Sequence, residues 1–420
     1  MNLKESKVWE RIITKRVAKV LSIFSTFLLL GVTVTGSVLA DKIKVGVLLP
    51  LTGKLAKFGE IENKSFLMAV DEINAAGGVN GKKIDLIIKD TAGKSDVGRS
   101  AIKKLISQDK VLVVGGGFSS QVTDKIAALT QQYETPFLIN TASSDVITET
   151  KREFIFRLNP PASEYLNTLT TFLRKVGRIN TAALLYERSP FGPHYGFSTS
   201  GLKMFTRLRE KVKFKKVIKM SYEAGTNDFI PLLTKIKANN PDLVYLIANI
   251  IDASLILQQS RMIDLNPKMF WGGTSGFPLP EFQETAGPAS DYVFSATLWT
   301  PLVPYLGAKE YYDKFVAKYD SHTEYHGAEA YAGMYVIADA LKRAKTLTRE
   351  GVRDALATTD MMTVFGPVKF ISYGQKTQQN SLPTFLVQWI NGKLETVWPR
   401  DVSTSKYVYP VPEWEQRFIE

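Results

Sequence analysis

From Ile43 onward the chain keeps two rhythms. Short apolar runs, as expected of strands buried on both faces, lead through glycine or polar loops into stretches of helical spacing, and then into the next apolar run. Strands are predicted over 43–49, 84–88, 111–114 and 136–139, and helices over 58–75, 97–108 and 123–133. In the first helix Phe66, Leu67, Val70 and Ile73 share one side, and Gly77-Gly78 supplies the stop that positive φ allows. The rhythm restarts after Asn159-Pro160-Pro161, with helices over 165–176, 197–209, 229–238 and 253–263 and strands over 181–186, 215–221, 243–247 and 269–271. Such alternation predicts an α/β protein with two doubly wound parallel-sheet lobes.

The 420 residues, 45% hydrophobic and 11% aromatic, have a globular composition that excludes a disordered, collagen-like or coiled-coil chain. There is no cysteine, which removes disulfides, thiol nucleophiles and Cys-type zinc sites. With only His194, His322 and His326 as imidazoles, no metal site is expected, and no cofactor. The net charge of +12 includes +4 from residues 1–40, where six Lys or Arg stand against two Glu. The other +8 is spread along the chain. Its densest stretch, 207–219, interleaves lysines with Val212, Phe214, Val217 and Ile218, the pattern of a solvated strand face, so a nucleic-acid partner is not expected.

Residues 1–40 read as an export signal. A basic segment ends at Lys19, an apolar run covers 20–34, and Val38 and Ala40 are the small residues a signal peptidase accepts, so cleavage is expected after Ala40 and the body is expected in the periplasm. The alternative is an uncleaved anchor. After residue 41 no stretch is apolar for long enough to span a bilayer.

One ordered series of motifs is similar to a known family. It begins with Lys44-Val45-Gly46-Val47-Leu48-Leu49-Pro50-Leu51-Thr52-Gly53 and Phe58-Gly59. It continues through Ala69-Val70-Asp71-Glu72-Ile73-Asn74-Ala75-Ala76-Gly77-Gly78-Val79-Asn80-Gly81, Asp90-Thr91, Thr226-Asn227-Asp228-Phe229, Asn240-Pro241-Asp242-Leu243 and Gly366-Pro367-Val368. Over residues 42–395 the chain resembles the type I periplasmic solute-binding proteins of ABC importers for branched-chain amino acids (Leu/Ile/Val-binding-like). The resemblance implies two lobes joined by three hinge crossings, near Arg157, Ser295 to Thr297 and Val364 to Gly366. Lobe one would be 41–157 with 297–365, and lobe two 158–296 with 366–420. It also implies a non-enzymatic receptor that closes on a small-molecule ligand and hands it to a permease in the inner membrane.

In open α/β sheets ligands sit beyond the carboxyl ends of the strands. Two loops there carry hydroxyls and N–H groups at helix starts, suited to a carboxylate: one with Ser119, Ser120 and Gln121, the other with Ala142, Ser143 and Ser144. By family position Phe191, Asn249 and Thr274 would close from the second lobe, with Phe58 walling the first and His326 or Tyr325 at the rim. Where amino-acid binders of the family place an acid for the ammonium group, this chain has Thr274. The ligand class is therefore a small amino acid, an aliphatic or aromatic carboxylate, or an amide. A ligand-binding sensor for a chemoreceptor is the alternative use of the same fold. Gly115 to Ser120 matches the dinucleotide pattern only in part, and three histidines give no Ser-His-acid order, so no catalytic residue is expected.

Overall fold

A computed structural model describes residues 42–177, 179–188, 197–273 and 276–418. Its strands are β1 (Ile43–Leu49), β2 (Ile84–Asp90), β3 (Val113–Gly116), β4 (Phe137–Ile139), β5 (Ile155–Arg157), β6 (Thr181–Arg188), β7 (Lys216–Glu223) and β8 (Leu243–Ile247). They continue with β9 (Met269–Gly272), β10 (Phe294–Thr297), β11 (Asp360–Thr363), β12 (Gly366–Lys369), β13 (Ile371–Tyr373), β14 (Lys376–Gln379), β15 (Phe385–Ile390) and β16 (Lys393–Trp398). One sheet runs β13-β14-β5-β4-β3-β1-β2, the other β16-β15-β10-β9-β8-β6-β7, and β11 with β12 forms a separate hairpin.

The continuous apolar strands are explained by helices on both faces of each sheet. In β1, Val45, Val47 and Leu49 turn toward Phe66 and Ile337, while Leu48 turns the other way, toward Leu105 and Ile126. In β8, Val244 and Leu246 face Phe229 and Leu233, and Leu243, Tyr245 and Ile247 face Phe172, Phe205 and Leu208. Each such aliphatic side chain contributes roughly 2 kcal/mol through burial. The α/β class with two parallel-dominated sheets is as expected, though edges shift by a few residues: β3 starts at Val113 and ends at Gly116, carrying the predicted strand into the glycine run.

In each sheet the order reverses direction once, between β1 and β3 and between β6 and β8. Loops leaving the strands at such a reversal diverge to opposite faces and leave a crevice between them.

The chain passes between the sheets three times. The first two passages follow Arg157 and Thr297. The third differs. Residues 366–379 do not leave for the second lobe: β14 pairs in parallel with β5, Gln379 opposite Arg157, and β13 folds back on β14, so the passage lies between Gln379 and Phe385 rather than at 364–366. The run 371–379 is short and polar and covers a sheet edge, so it lacks the apolar signature by which the other strands were read.

Candidate functional site

Gly115-Gly116-Gly117 ends β3 with a backbone that only glycine adopts comfortably. Gly116 has φ +100° and Gly117 φ +91°, and a Cβ on Gly116 would lie 2.4 Å from the carbonyl oxygen of Leu48. The turn delivers Phe118 and Ser119 to the crevice and starts the helix Ser120–Gln132, whose first turn has no side-chain cap. Those N–H groups, at the positive end of a helix, are one half of an anion-binding arrangement.

The second loop is tied to the first. Ser144 N–H donates to Ser120 Oγ at 3.2 Å, and Ala142 N–H donates to the Gly117 carbonyl at 2.9 Å. Arg157, fully buried, donates from Nη1 to the carbonyls of Ala142 (3.2 Å) and Ser144 (2.6 Å). The Ala142 backbone is thus spent on holding the loop.

Between the lobes lies a cleft of about 220 Å³, large enough for a molecule of amino-acid or benzoate size. Ser143, Thr141, Phe118, Tyr325 and His326 line it from the first lobe, and Leu166, Met204, Tyr245, Trp271 and Gly273 from the second. Ser295, Thr297 and Thr384, at two of the crossings, form its floor. His326, 2% exposed, sits in the first turn of the helix Tyr325–Arg343; its Nδ1 meets both oxygens of Glu324 at 2.8 Å, which fixes the ring. Phe58 and Phe118 pack on that ring at 4.9 and 5.1 Å and on each other at 5.2 Å.

Behind Thr141 are two fully buried carboxyl groups, Glu62 and Glu329. Thr141 Oγ1 donates to Glu62 Oε1 at 2.5 Å, accepts from Asn140 Nδ2 at 2.9 Å, and lies 3.1 Å from Glu329 Oε2. A hydroxyl has one proton, so the last contact is attractive only when Glu329 keeps its own proton and donates it. Burial pushes both acids up, Glu62 to about 7 and Glu329 well above the ordinary carboxylate range, the latter also through the charge of Glu62.

Of the sequence-predicted site residues, Ser143 and His326 line the cleft and Phe58 backs it. Ser119 and Ser120 are partly exposed at the adjoining helix start, Gln121 is exposed there, and Ser144 is bonded to Ser120. Asn249 is exposed and caps the helix Ile250–Met262, accepting from Asp252 N–H and donating to the carboxylates of Asp252 and Glu187, outside the cleft lining. Phe191 and Thr274 lie outside the described residues. Phe118, Met204, Tyr245 and Trp271 were missed: Tyr245 and Trp271 fall inside apolar runs and read as core, and no sequence signal separates a core aromatic from one at a cleft wall.

Two ion pairs span the lobes beside the cleft, Lys57 with Glu281 and Arg207 with Asp145 at 3.5 Å. Among the described residues there is no cluster of acids and histidines that could hold a metal ion, and no helix is long and apolar enough to cross a membrane.

The chain is 28% identical over 387 residues to a Leu/Ile/Val-binding protein homolog of Brucella melitensis, covering 88% of this chain and 94% of that one. It superposes with a TM-score of 0.73 on the branched-chain amino acid transporter substrate-binding protein LivJ of Streptococcus pneumoniae, solved with isoleucine, at 25% identity and covering 88% of this chain and all of that one. The same fold is seen in an ABC transporter solute-binding protein of R. palustris in complex with benzoate, at a TM-score of 0.69 and 18% identity, covering 89% of this chain and 98% of that one. The model for the periplasmic binding protein family matches residues 42–393, and the chain belongs to that family.

Proposed function

We propose that this chain is the extracytoplasmic substrate-binding component of an ABC importer, which takes a small carboxylate ligand into the interlobe cleft and presents the closed form to a permease. The reading rests on one observation: an aromatic and hydroxyl-lined cleft sits where three crossings join two sheets, beside uncapped N–H groups at a helix start. The carboxylate would lie against those N–H groups, Ser143 and His326.

Among the described residues the cleft wall holds no Asp, Glu, Lys or Arg. An ammonium group enclosed there would lack a carboxylate partner, at a cost of several kcal/mol. A carboxylic acid without an amine, as in the benzoate-bound relative, therefore suits the wall better than an α-amino acid, as in the isoleucine-bound one. Closure would stabilise the bound form through contacts from both lobes, with the ligand released unchanged. Residues 1–40 would direct export to the periplasm and be removed after Ala40.

The test is a thermal-shift and calorimetry panel of aliphatic amino acids and aliphatic and aromatic carboxylic acids on the chain beginning at Asp41. Saturable binding with the ligand recovered intact, and an exported protein whose mass starts at Asp41, are expected. A panel in which no acid or amino acid raises the melting temperature sinks the reading.

A further inference from the structure

Glu62 and Glu329 stand on two different helices, Ala56–Ala75 and Tyr325–Arg343, and meet behind a single hydroxyl of the cleft wall. Thr141 Oγ1 accepts from Asn140 Nδ2 and lies 2.5 Å from Glu62 Oε1 and 3.1 Å from Glu329 Oε2. Its one proton can serve only one of the two carboxyl groups. Whichever acid receives it, the other must bring a proton of its own for both contacts to be hydrogen bonds. A second proton can be added without breaking a bond, since the carbonyl oxygen of a neutral carboxyl group still accepts from the threonine. One geometry thus suits a pair that carries one negative charge or none.

The surroundings decide between these two states. His326 and Glu324 face the pair from the start of the helix Tyr325–Arg343, Asn140 and Thr141 from the loop after β4, and Tyr165 from the first crossing. Lys57, on the Glu62 helix, pairs with Glu281 and acts on Glu324. Tyr311, on the helix Ala308–Tyr319, bonds Ser65 and Thr323. Arg157 is spent on Gln379 and the carbonyls at 142 and 144. Among the described residues no lysine or arginine is paired with either acid. Burial raises both, Glu62 to about 7, so near neutral pH the second proton is the one in play.

The pair reaches the ligand through two side chains. Thr141 and His326 both line the cleft, on the side assigned above to the carboxylate. An anionic head placed there is one side chain away from the Glu62 carboxylate. With water excluded by closure, like charges repel more strongly than in solution, and the second proton removes that repulsion.

Resting on the function proposed above, we infer that the Glu62–Glu329 pair takes up a proton when the cleft closes on a carboxylate, so that the ligand is bound as anion and proton together and held more tightly as pH falls. A ligand bearing an ammonium group has the opposite linkage, favouring the charged pair and expelling a proton. The sign of the exchange therefore reports the class of the ligand.

The experiment is calorimetry with the tightest-binding acid of the panel above, benzoate first, in HEPES and in Tris, two buffers of different ionisation enthalpy. At about pH 7.5 the wild type is expected to take up roughly half a proton per ligand, and its affinity to fall about fivefold between pH 6 and 8.5. Glu62→Gln, fixed in the neutral form, should take up almost none and should bind about fivefold more tightly than the wild type at the upper pH. A second readout needs no substitution: ligand added to the wild type should strengthen the infrared carbonyl band of protonated carboxyl groups. Proton release, no exchange, an unchanged carbonyl band, or uptake that persists in Glu62→Gln and so belongs to another group such as His326, overturns the inference while the cleft reading stands. If no acid of the panel binds, the cleft reading itself fails and the inference with it.

Discussion

Arg157 donates from Nε to Gln379 Oε1 at 2.6 Å, joining the last residue of β5 to the last residue of β14 where two of the three crossings leave the first sheet. Gln379 Nε2 in turn donates to the carbonyls of Asn159 and Asn380, the residues that begin those crossings. The guanidinium also holds the loop at 142–144, so one side chain links the hinge to the candidate ligand loop. It does so with neutral acceptors, and burial lowers its pKa to about 10, still cationic at neutral pH.

Replacing Arg157 by Lys keeps the charge but not the planar fork. With one nitrogen in place of three, some of Gln379 Oε1, Thr148 Oγ1 and the Ala142 and Ser144 carbonyls lose their partner. Urea denaturation should show a loss of about 3 kcal/mol, and calorimetry a weaker ligand, since the loop at 142–144 is no longer pinned.

The buried acids make stability depend on pH in an unusual direction. Glu62 has a folded-state pKa raised from 4.5 to about 7, so the folded chain binds the extra proton between those values. Its contribution is fully present below about pH 4.5 and is lost as pH rises through 7, a decline on the order of 3 kcal/mol. Glu329, also raised, acts in the same direction and extends the decline upward. The groups facing the pair are His326, Glu324, Asn140 and Thr141. Carboxylates held low, such as Asp90 and Asp242, lose their contribution only at more acidic pH. Denaturation at several pH values should therefore show wild-type stability falling between pH 5 and 7.5, roughly, and Glu62→Gln should flatten that slope.

The parallel strands and their helices were legible because burial on both faces leaves near-continuous apolar runs, as in β1 and β8. The glycine loop and the serine-rich loop were legible because positive φ and helix starts restrict residue type. What remained hidden was tertiary. β13 and β14 are polar edge strands, and their place beside β5 follows from pairing with Arg157, which no local pattern announces. Glu62 lies in an amphipathic helix where a glutamate reads as solvated, yet it is fully buried and accepts a hydrogen bond from Thr141 in the loop after β4. Asn249 was assigned to the ligand by family position, and its side chain instead caps its own helix.

Gly116→Ala tests how tightly the first loop is made. The added methyl would sit 2.4 Å from Leu48 O and 2.9 Å from Leu48 N, backbone atoms of the neighbouring central strand, at a φ unfavourable to alanine. Neither strand can yield without breaking the β1–β3 ladder. Gly81→Ala provides the comparison, with φ +79° and nothing within 4 Å of its Cβ position. Both pay the conformational cost of roughly 1 kcal/mol; Gly116→Ala should exceed it by a further 2 kcal/mol or so in denaturant melts.

The ion pairs between lobes bear on closure. Lys57 lies at the start of a first-lobe helix and Glu281 at the start of a second-lobe helix, while Asp145 and Arg207 meet on another side. Such pairs exist only when the lobes are close together, so they favour the closed form whatever the ligand. Both are partly solvated, and each is worth about 1 kcal/mol at most. Glu281→Gln should accordingly weaken ligand binding by no more than about fivefold. It should also reduce, though not abolish, the salt dependence of affinity, because one of the two screened interlobe pairs is removed while Arg207 with Asp145 remains. Calorimetry at low and high salt reads both effects. Scattering from the ligand-free protein should show a larger radius of gyration in Glu281→Gln, the population having moved toward the open form; an unchanged radius together with unchanged affinity would mean that the pair forms without biasing the hinge.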